Sequence, residues 1–205
     1  MQRLIGKKIG MTSFFDADGN NIPCTVIEAG PCVVTQVKSL DKEGYEAIQI
    51  AWGEKKKKNW KRSEINHFKA SGSDPKSVVT EVRNPRISRN VGDIIDVTIF
   101  NEGEFVDIIG KSKGRGFQGV VKRHGFGGVG QSTHGQHDRS RAPGSIGASS
   151  YPSRVFKGMR MAGQMGNKNV KMTNLQIYKI QPEQNLIIVK GAVPGHNGST
   201  IFLEK

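Results

Sequence analysis

The sequence lacks a long hydrophobic run and has only two cysteines. No apolar stretch approaches the roughly 20 residues that a membrane-spanning helix needs. The first residues, Met1–Lys8, are charged and have no hydrophobic stretch behind them, so we expect no signal peptide. Cys24 and Cys32 show no spacing typical of a disulfide framework. We therefore expect a cytoplasmic protein that does not bind a membrane.

Acidic residues are scarce and almost absent from one segment. The 205 residues include 31 lysines and arginines against 18 aspartates and glutamates, a net charge of +13. Residues 111–168 hold eleven of the basic residues, one acid and 13 of the 26 glycines, so they carry +10 and the rest of the chain +3 (13 minus 10). Such a charge strains a compact fold unless a polyanion neutralises it, which favours nucleic acid as the partner.

The same scarcity argues against an enzyme. The single acid, Asp138, has no second carboxylate nearby for acid–base catalysis. Three histidines lie near one another in the segment, but both cysteines are distant, so a set of four zinc ligands is missing. Gly114–Gly119 has the glycine spacing of a dinucleotide-binding loop, but no second strand follows it. We expect no catalytic residue, cofactor, metal or small-molecule substrate.

Outside residues 111–168 the chain is typical of short strands separated by turns. Apolar and polar residues alternate, and Gly30-Pro31 is a turn signal. The predicted strands are Pro23–Ala29, Val33–Lys38, Tyr45–Trp52, Val78–Val82, Ile95–Ile99, Phe105–Ile109, Leu175–Ile180 and Leu186–Lys190. Helix is predicted only over Phe117–Arg123 and Ser63–Ala70.

These patterns predict a mainly β fold with little helix. Its body, residues 1–110 plus 169–205, is predicted to be a β-barrel or sandwich with a basic loop near residues 54–70. Residues 111–168, here called the arm, are predicted to be an internal excursion that orders against RNA. A flexible linker between two domains fits poorly, because linkers are seldom so basic and too few strands follow the arm to form a second domain.

The residue types of the arm suit RNA. Arginine binds phosphate with paired hydrogen bonds and stacks on bases, aromatic rings add stacking surfaces, and glycine permits close backbone approach. The predicted RNA-binding residues are Lys111, Lys113, Arg115, Lys122, Arg123, His124, His134, His137, Arg139, Arg141, Arg154, Lys157, Arg160 and Lys168. The predicted base-stacking residues are Phe117, Phe126, Tyr151, Phe156 and, in a lysine-rich run of the body, Trp60. That run is equally compatible with a solvated loop.

Several segments resemble the bacterial large-subunit (50S) ribosomal protein L3 family. Its signature is similar to Asp107-x-x-Gly110-x-Ser112-x-Gly114-Arg115-Gly116-x-x-Gly119-x-x-x-Arg123. Further resemblances follow the family's order along the chain at Gly6–Thr12, Arg141–Gly147, Val155–Gly166 and Val189–Gly195. One departure is Ala148-Ser149-Ser150, where some bacterial members carry glutamines.

The resemblance implies a six-stranded barrel of the translation-protein type, with the arm as a long internal extension into 23S ribosomal RNA. It implies direct binding near the 3′ end of that RNA, nucleation of subunit assembly, and a loop at Ser145–Pro152 that approaches the peptidyl transferase centre without catalysing. Ser145 therefore joins the expected RNA-binding residues. The expected partners are 23S rRNA and neighbouring large-subunit proteins, with no homo-oligomer.

Two other function classes stay open on the sequence. A nucleic-acid-processing enzyme would need a carboxylate cluster or a complete metal site. A nucleoid-type DNA-binding protein would place its charge on helices or β-arms and would dimerise. Sedimentation of the endogenous protein with ribosomal subunits would separate the ribosomal role from both alternatives.

Overall fold

A computed structural model describes residues 2–16, 18–85, 87–130, 132 and 134–205. Over these residues the protein is mainly β with little helix, as predicted. The elements in chain order are β1 (Arg3–Phe15), β2 (Asn21–Ala29), β3 (Cys32–Lys38), α1 (Leu40–Glu43), β4 (Ala47–Glu54), α2 (Arg62–Lys69), β5 (Lys76–Arg83), β6 (Ile94–Ile95), β7 (Phe105–Lys111), β8 (Phe117–Gln118), α3 (Val120–His124), β9 (Gly163–Gln164), β10 (Asn169–Gln181), β11 (Leu186–Lys190) and β12 (Thr200–Glu204). Short 3-10 helices cover Lys57–Asn59, Val97–Ile99, His137–Arg139 and Pro182–Gln184.

Six antiparallel strands pair in a closed ring, in the order β1, β12, β7, β10, β11 and β2. The strands nearest the two chain ends are neighbours, since Arg3 pairs with Glu204 and Lys7 with Thr200. Three strands of the ring precede the arm and three follow it. Lys111 at the end of β7 lies opposite Asn169 at the start of β10, so the arm leaves and rejoins the ring between paired residues.

A second sheet contains the remaining strands of the body, in the order β5, β4, β3 and β6. The sequence analysis did not separate these strands from the ring. Ile48 and Ile50 of β4 are buried as the alternating pattern predicted, and they join one apolar core with ring residues such as Leu4 and Ile27. The two sheets therefore share a hydrophobic core, so the apolar pattern of the strands does not reveal to which of the two sheets each strand belongs.

The predicted strand Ile95–Ile99 is wrong over its second half. Only Ile94 and Ile95 pair with β3, whereas Val97–Ile99 form a 3-10 helix. Three residues per turn place Val97 and Phe100 on the same side of this helix, where both side chains are buried. The predicted helix at Phe117–Arg123 is likewise shorter, because Phe117 belongs to β8 and the helix spans Val120–His124.

Strand β1 escaped prediction because lysines interrupt its apolar residues. Lys8 is only 6% exposed. Its Nζ donates hydrogen bonds to the backbone carbonyl of Val193 at 2.7 Å and to that of Gly195 at 3.4 Å. A buried ammonium group requires such partners, and these lie more than 180 residues away along the chain. The sequence around Lys8 therefore could not reveal that the residue is internal.

Four charged residues form an ion-pair network across neighbouring strands of the ring. Glu204 on β12 is 4% exposed and accepts hydrogen bonds from Arg3 Nε on β1 at 2.8 Å and from Lys171 Nζ on β10 at 3.1 Å. Lys171 also pairs with Asp107 of β7 at 2.9 Å. Burial alone raises the pKa of Glu204, but the bonds from Arg3 and Lys171 outweigh it, and the pKa is lowered.

The chain divides into two compact units, one of residues 1–112 plus 169–205 and one of residues 113–168. Among the described residues, every buried hydrophobic side chain except that of Val120 belongs to the first unit. No described helix is long and apolar enough to cross a membrane.

We expect Glu204→Gln to lower the free energy of unfolding by about 2 kcal/mol at pH 7, because it weakens the charge-assisted hydrogen bonds from Arg3 and Lys171 at a buried position. The pKa of Glu204 is lower in the folded protein than its ordinary value of 4.5. Its stabilising contribution is therefore complete above that pH and is lost as the pH falls through the folded pKa. Urea unfolding of both proteins at several pH values should show the difference shrinking in acid.

The matched control for this prediction is Glu183→Gln, which changes an exposed carboxylate. It should alter the free energy of unfolding by less than about 0.5 kcal/mol. A Glu204→Gln defect of the same size at pH 3 and pH 7 would contradict the pKa argument.

We expect the body to fold without most of the arm. A protein in which a short glycine–serine linker replaces residues 112–167 should keep a cooperative thermal transition and a β-type circular dichroism spectrum. The reason is that only one buried hydrophobic side chain, Val120, is removed, and that Lys111 and Asn169 are already paired. A broad transition without a folded baseline would show that the body depends on the arm.

Candidate nucleic-acid interface

The second unit has its own backbone hydrogen bonds. Strands β8 and β9 pair antiparallel, with Phe117 opposite Gln164. The pairing extends beyond the strands, because the Arg115 N–H donates to the Met165 carbonyl and the Met165 N–H donates to the Gly116 carbonyl, each at 2.9 Å. The outgoing and returning chains of the arm are therefore held together near its beginning and end.

The arm has almost no core. Val120 is 3% exposed and is the only buried side chain among the arm's described residues. Phe117 and Tyr151 are 75% and 87% exposed, and Phe156 is also exposed. Large apolar side chains are normally buried, so their exposure here makes this surface a candidate for binding a partner.

The cations of the arm also face water. The exposed ones are Lys111, Lys113, Arg115, Lys122, Arg139, Arg141, Arg154, Lys157, Arg160 and Lys168. Leaving Lys168 aside, none of them has a described carboxylate within ion-pair distance. The acid of the arm, Asp138, lies 2.9 Å from His137 Nε2. The positive charge is therefore not neutralised within the described part of the arm.

Two predicted RNA-binding residues, Arg123 and His124, share one hydrogen-bond partner inside the arm. Arg123 Nη1 donates a hydrogen bond to the Met161 carbonyl at 2.5 Å, and His124 Nε2 lies 3.0 Å from the same oxygen. A Cβ on Gly163 would lie 2.8 Å from Arg123 Nη1, so glycine leaves the space for the guanidinium group. These contacts join the end of α3 to the chain entering β9. The sequence analysis missed them because 38 residues separate Arg123 from Met161.

The predicted stacking residues of the arm differ in how exposed their rings are and in which side chains contact them. Arg154 lies over the Phe156 ring, with 5.4 Å between Cζ and the ring centroid. The Phe126 ring is half-buried, and its centroid is 6.1 Å from that of His124. Phe117 and Tyr151 have the most exposed rings, which leaves their faces accessible to bases.

The remaining predicted residues of the arm, His134 and Ser145, are exposed. Ser145 Oγ donates a hydrogen bond to the Gly147 carbonyl at 3.1 Å, which closes a local turn. His134 lies close in sequence to His137, but the described residues contain no group of three or more potential metal-binding side chains.

Glycine is required by the arm's own backbone at two places. Gly128 and Gly166 have φ values of +66° and +72°. A Cβ on Gly128 would overlap the carbonyl of Ser140, and one on Gly166 would overlap the carbonyl of Lys113. Both sites combine a left-handed backbone with a close approach of another chain segment, which only glycine satisfies.

Trp60 belongs to the first unit. Its ring is half-buried, and Nε1 donates a hydrogen bond to the Lys55 carbonyl at 2.9 Å. Lys57 Nζ lies 6.0 Å from the ring centroid.

Both cysteines of this unit are free thiols in the core. Burial raises the pKa of Cys32 to about 12, so this thiol is not a reactive group.

Comparisons with known proteins point in one direction. The family model described as Ribosomal protein L3 matches residues 87–185, a range that includes the whole arm and both strands that flank it. The chain is 53% identical over 203 residues to the large ribosomal subunit protein uL3 of Salinibacter ruber, and the match covers 98% of each chain.

We expect Arg123 to stabilise the arm through the Met161 carbonyl. Arg123→Gln should speed amide hydrogen exchange at Arg115 and Met165 by roughly fivefold, because a charge-assisted hydrogen bond of about 1 kcal/mol is lost. Gly163→Ala should have a similar effect, because its Cβ displaces the guanidinium group. The neighbouring exposed cation Lys122 offers a matched control, and Lys122→Gln should leave the exchange rates unchanged. Equal rates in all variants would rule out this role.

Proposed function

The chain belongs to the ribosomal protein L3 family of the large ribosomal subunit, and we propose that it binds 23S rRNA directly, near the 3′ end of that RNA. In this role the protein is a structural constituent that nucleates subunit assembly. The subunit acts in the cytoplasm, and neighbouring large-subunit proteins are further partners of the chain.

The observation that carries the proposal is the exposure of the arm together with its charge. Residues 111–168 carry eleven basic residues and one acid, yet bury only Val120 among the residues described. Ordering such a segment costs conformational entropy, and the burial of one side chain within the arm does not offset that cost. RNA supplies both missing contributions, because its phosphates neutralise the cations and its bases cover the exposed rings.

The predicted contacts divide by chemistry. The exposed lysines and arginines of the arm bind phosphate. Arg139 and Arg141 are two residues apart, so both can contact the same stretch of RNA backbone. Phe117 and Tyr151 offer the most accessible rings for base stacking. Arg123 and His124 belong to the same RNA-facing segment, with the Met161 carbonyl as their internal partner.

In this proposal the closed ring is the six-stranded translation-protein barrel of the family, and the arm is its extension. The loop at Ser145–Pro152 approaches the peptidyl transferase centre. Its side chains are small hydroxyls, an alanine, an isoleucine, a tyrosine and a proline. These groups have no carboxylate or imidazole for acid–base catalysis. The loop therefore shapes the RNA around the centre and leaves the chemistry to other groups.

We expect binding to 23S rRNA to weaken steeply with salt. If about half of the ten exposed arm cations meet phosphates, the slope of log K against log salt should be about −4. Filter binding of a 23S fragment from the 3′ region between 50 and 400 mM KCl would measure it. If Lys122, Arg139 and Arg141 are among the cations that contact phosphates, changing all three to glutamine should reduce the magnitude of that slope by about 2. A nearly flat dependence in the unaltered protein would overturn the proposal.

A further inference from the structure

The first unit carries a second basic surface, the lysine loop, which comprises residues 55–62. We propose that the lysine loop is an RNA-binding site in its own right, which holds phosphates independently of the arm. That the RNA is ribosomal rests on the proposed function. The existence of the site does not, because none of the contacts that form it involves the arm.

The charge of the lysine loop is turned outward. Six of its eight residues are basic. Lys55 is used internally, since its Nζ lies 2.7 Å from both carboxylate oxygens of Glu64. The other five are exposed and have no described carboxylate within ion-pair distance: Lys56, Lys57, Lys58, Lys61 and Arg62. Five unpaired cations on so short a segment repel one another, and the phosphates of RNA relieve that repulsion.

Hydrogen bonds hold the loop in one shape. The Asn59 N–H donates to the Lys56 carbonyl at 2.8 Å, and the Trp60 N–H donates to the Lys57 carbonyl at 3.1 Å. The Trp60 indole closes the loop by its bond to the Lys55 carbonyl. A loop that is merely solvated needs no such closure. Because the loop is already ordered without a ligand, binding loses less conformational entropy, and this favours affinity.

The loop is also mounted on a rigid element. It leads into α2, whose Phe68 is buried and whose His67 Nε2 lies 2.6 Å from Gln49 Oε1 on β4. The hydrogen bond from Lys55 lowers the pKa of Glu64, because it favours the ionised carboxylate that the Lys55–Glu64 ion pair requires. The cations are therefore presented from fixed backbone rather than from a mobile tail.

RNA fits this surface better than an acidic protein segment does. The Trp60 ring is half-exposed beside the cations, and an aromatic face among lysines is the arrangement that binds nucleotides through stacking and phosphate contacts. An acidic peptide would use the charge but not the ring.

The first test compares two triple variants of the full chain. In one, Lys56, Lys58 and Arg62 are changed to glutamine. In the control, three exposed lysines elsewhere in the first unit, Lys42, Lys179 and Lys190, are changed in the same way. Filter binding to the 3′-region 23S fragment should show the slope of log K against log salt reduced by about 2 in the loop variant and unchanged in the control. Circular dichroism melts establish that both are folded.

The outcomes separate this inference from the proposed function. If the arm variant loses slope and the loop variant does not, the lysine loop is not an RNA site, although the proposed function stands. If the loop variant loses slope and the arm variant does not, the loop inference stands alone. If the loop variant binds RNA normally but enters ribosomal subunits poorly, the partner of the loop is a protein, and the inference is overturned.

Tryptophan fluorescence supplies a second readout, because the chain has only two tryptophans. In Trp52→Phe, Trp60 is the only indole, and adding the 23S fragment should quench its emission by at least about a third through stacking. In Trp60→Phe, the remaining Trp52 is anchored to the Gly30 carbonyl at 3.2 Å and should respond little. Unchanged Trp60 emission at saturating RNA would overturn the inference.

Discussion

Lys111 at the end of β7 and Asn169 at the start of β10 are paired on neighbouring strands of the ring, and the insertion of the arm depends on this pairing. A segment inserted between two adjacent antiparallel residues can be long without straining the sheet, because its ends are already together. The ring closes elsewhere, through β1 and β12 at the two chain ends. The arm is thus free to have a composition that no folded core would tolerate.

The two units use charge in opposite ways. In the body, acids and bases are nearly balanced, and Arg3, Lys171, Glu204 and Asp107 neutralise one another across four strands. In the arm, the cations have almost no acids to meet. Simple counting nevertheless overstates the charge available to a partner. Arg123 also serves the Met161 carbonyl, and Lys55 holds Glu64, so some cations in basic segments position their neighbours.

The sequence predicted those elements whose cause is local. In Tyr45–Trp52, Ile48 and Ile50 recur at every second residue because that face of β4 packs on the core, and Ser63–Ala70 nearly matches α2. The elements it missed have distant causes. β1 depends on carbonyls of Val193 and Gly195 that accept hydrogen bonds from Lys8. The exposed arm residues were recognised by type, because charge and aromatic content are properties of composition. The Arg123–Met161 contact was not, because it exists only after the chain has turned back on itself.

The glycines of the arm fall into two groups, which differ in whether the backbone of the arm itself requires glycine. At Gly128 and Gly166 the arm's own backbone demands it, since a Cβ would overlap a carbonyl group. At Gly119 and Gly127 the structure makes no such demand, because neither has a positive φ and a Cβ at either position would meet nothing within 4 Å. Alanine would cost the isolated arm nothing sterically at these two positions. The space they leave open is the kind that a phosphate backbone occupies when it approaches a polypeptide closely. If the arm binds RNA as proposed, glycine at these two positions lets the RNA backbone approach the polypeptide more closely than alanine would.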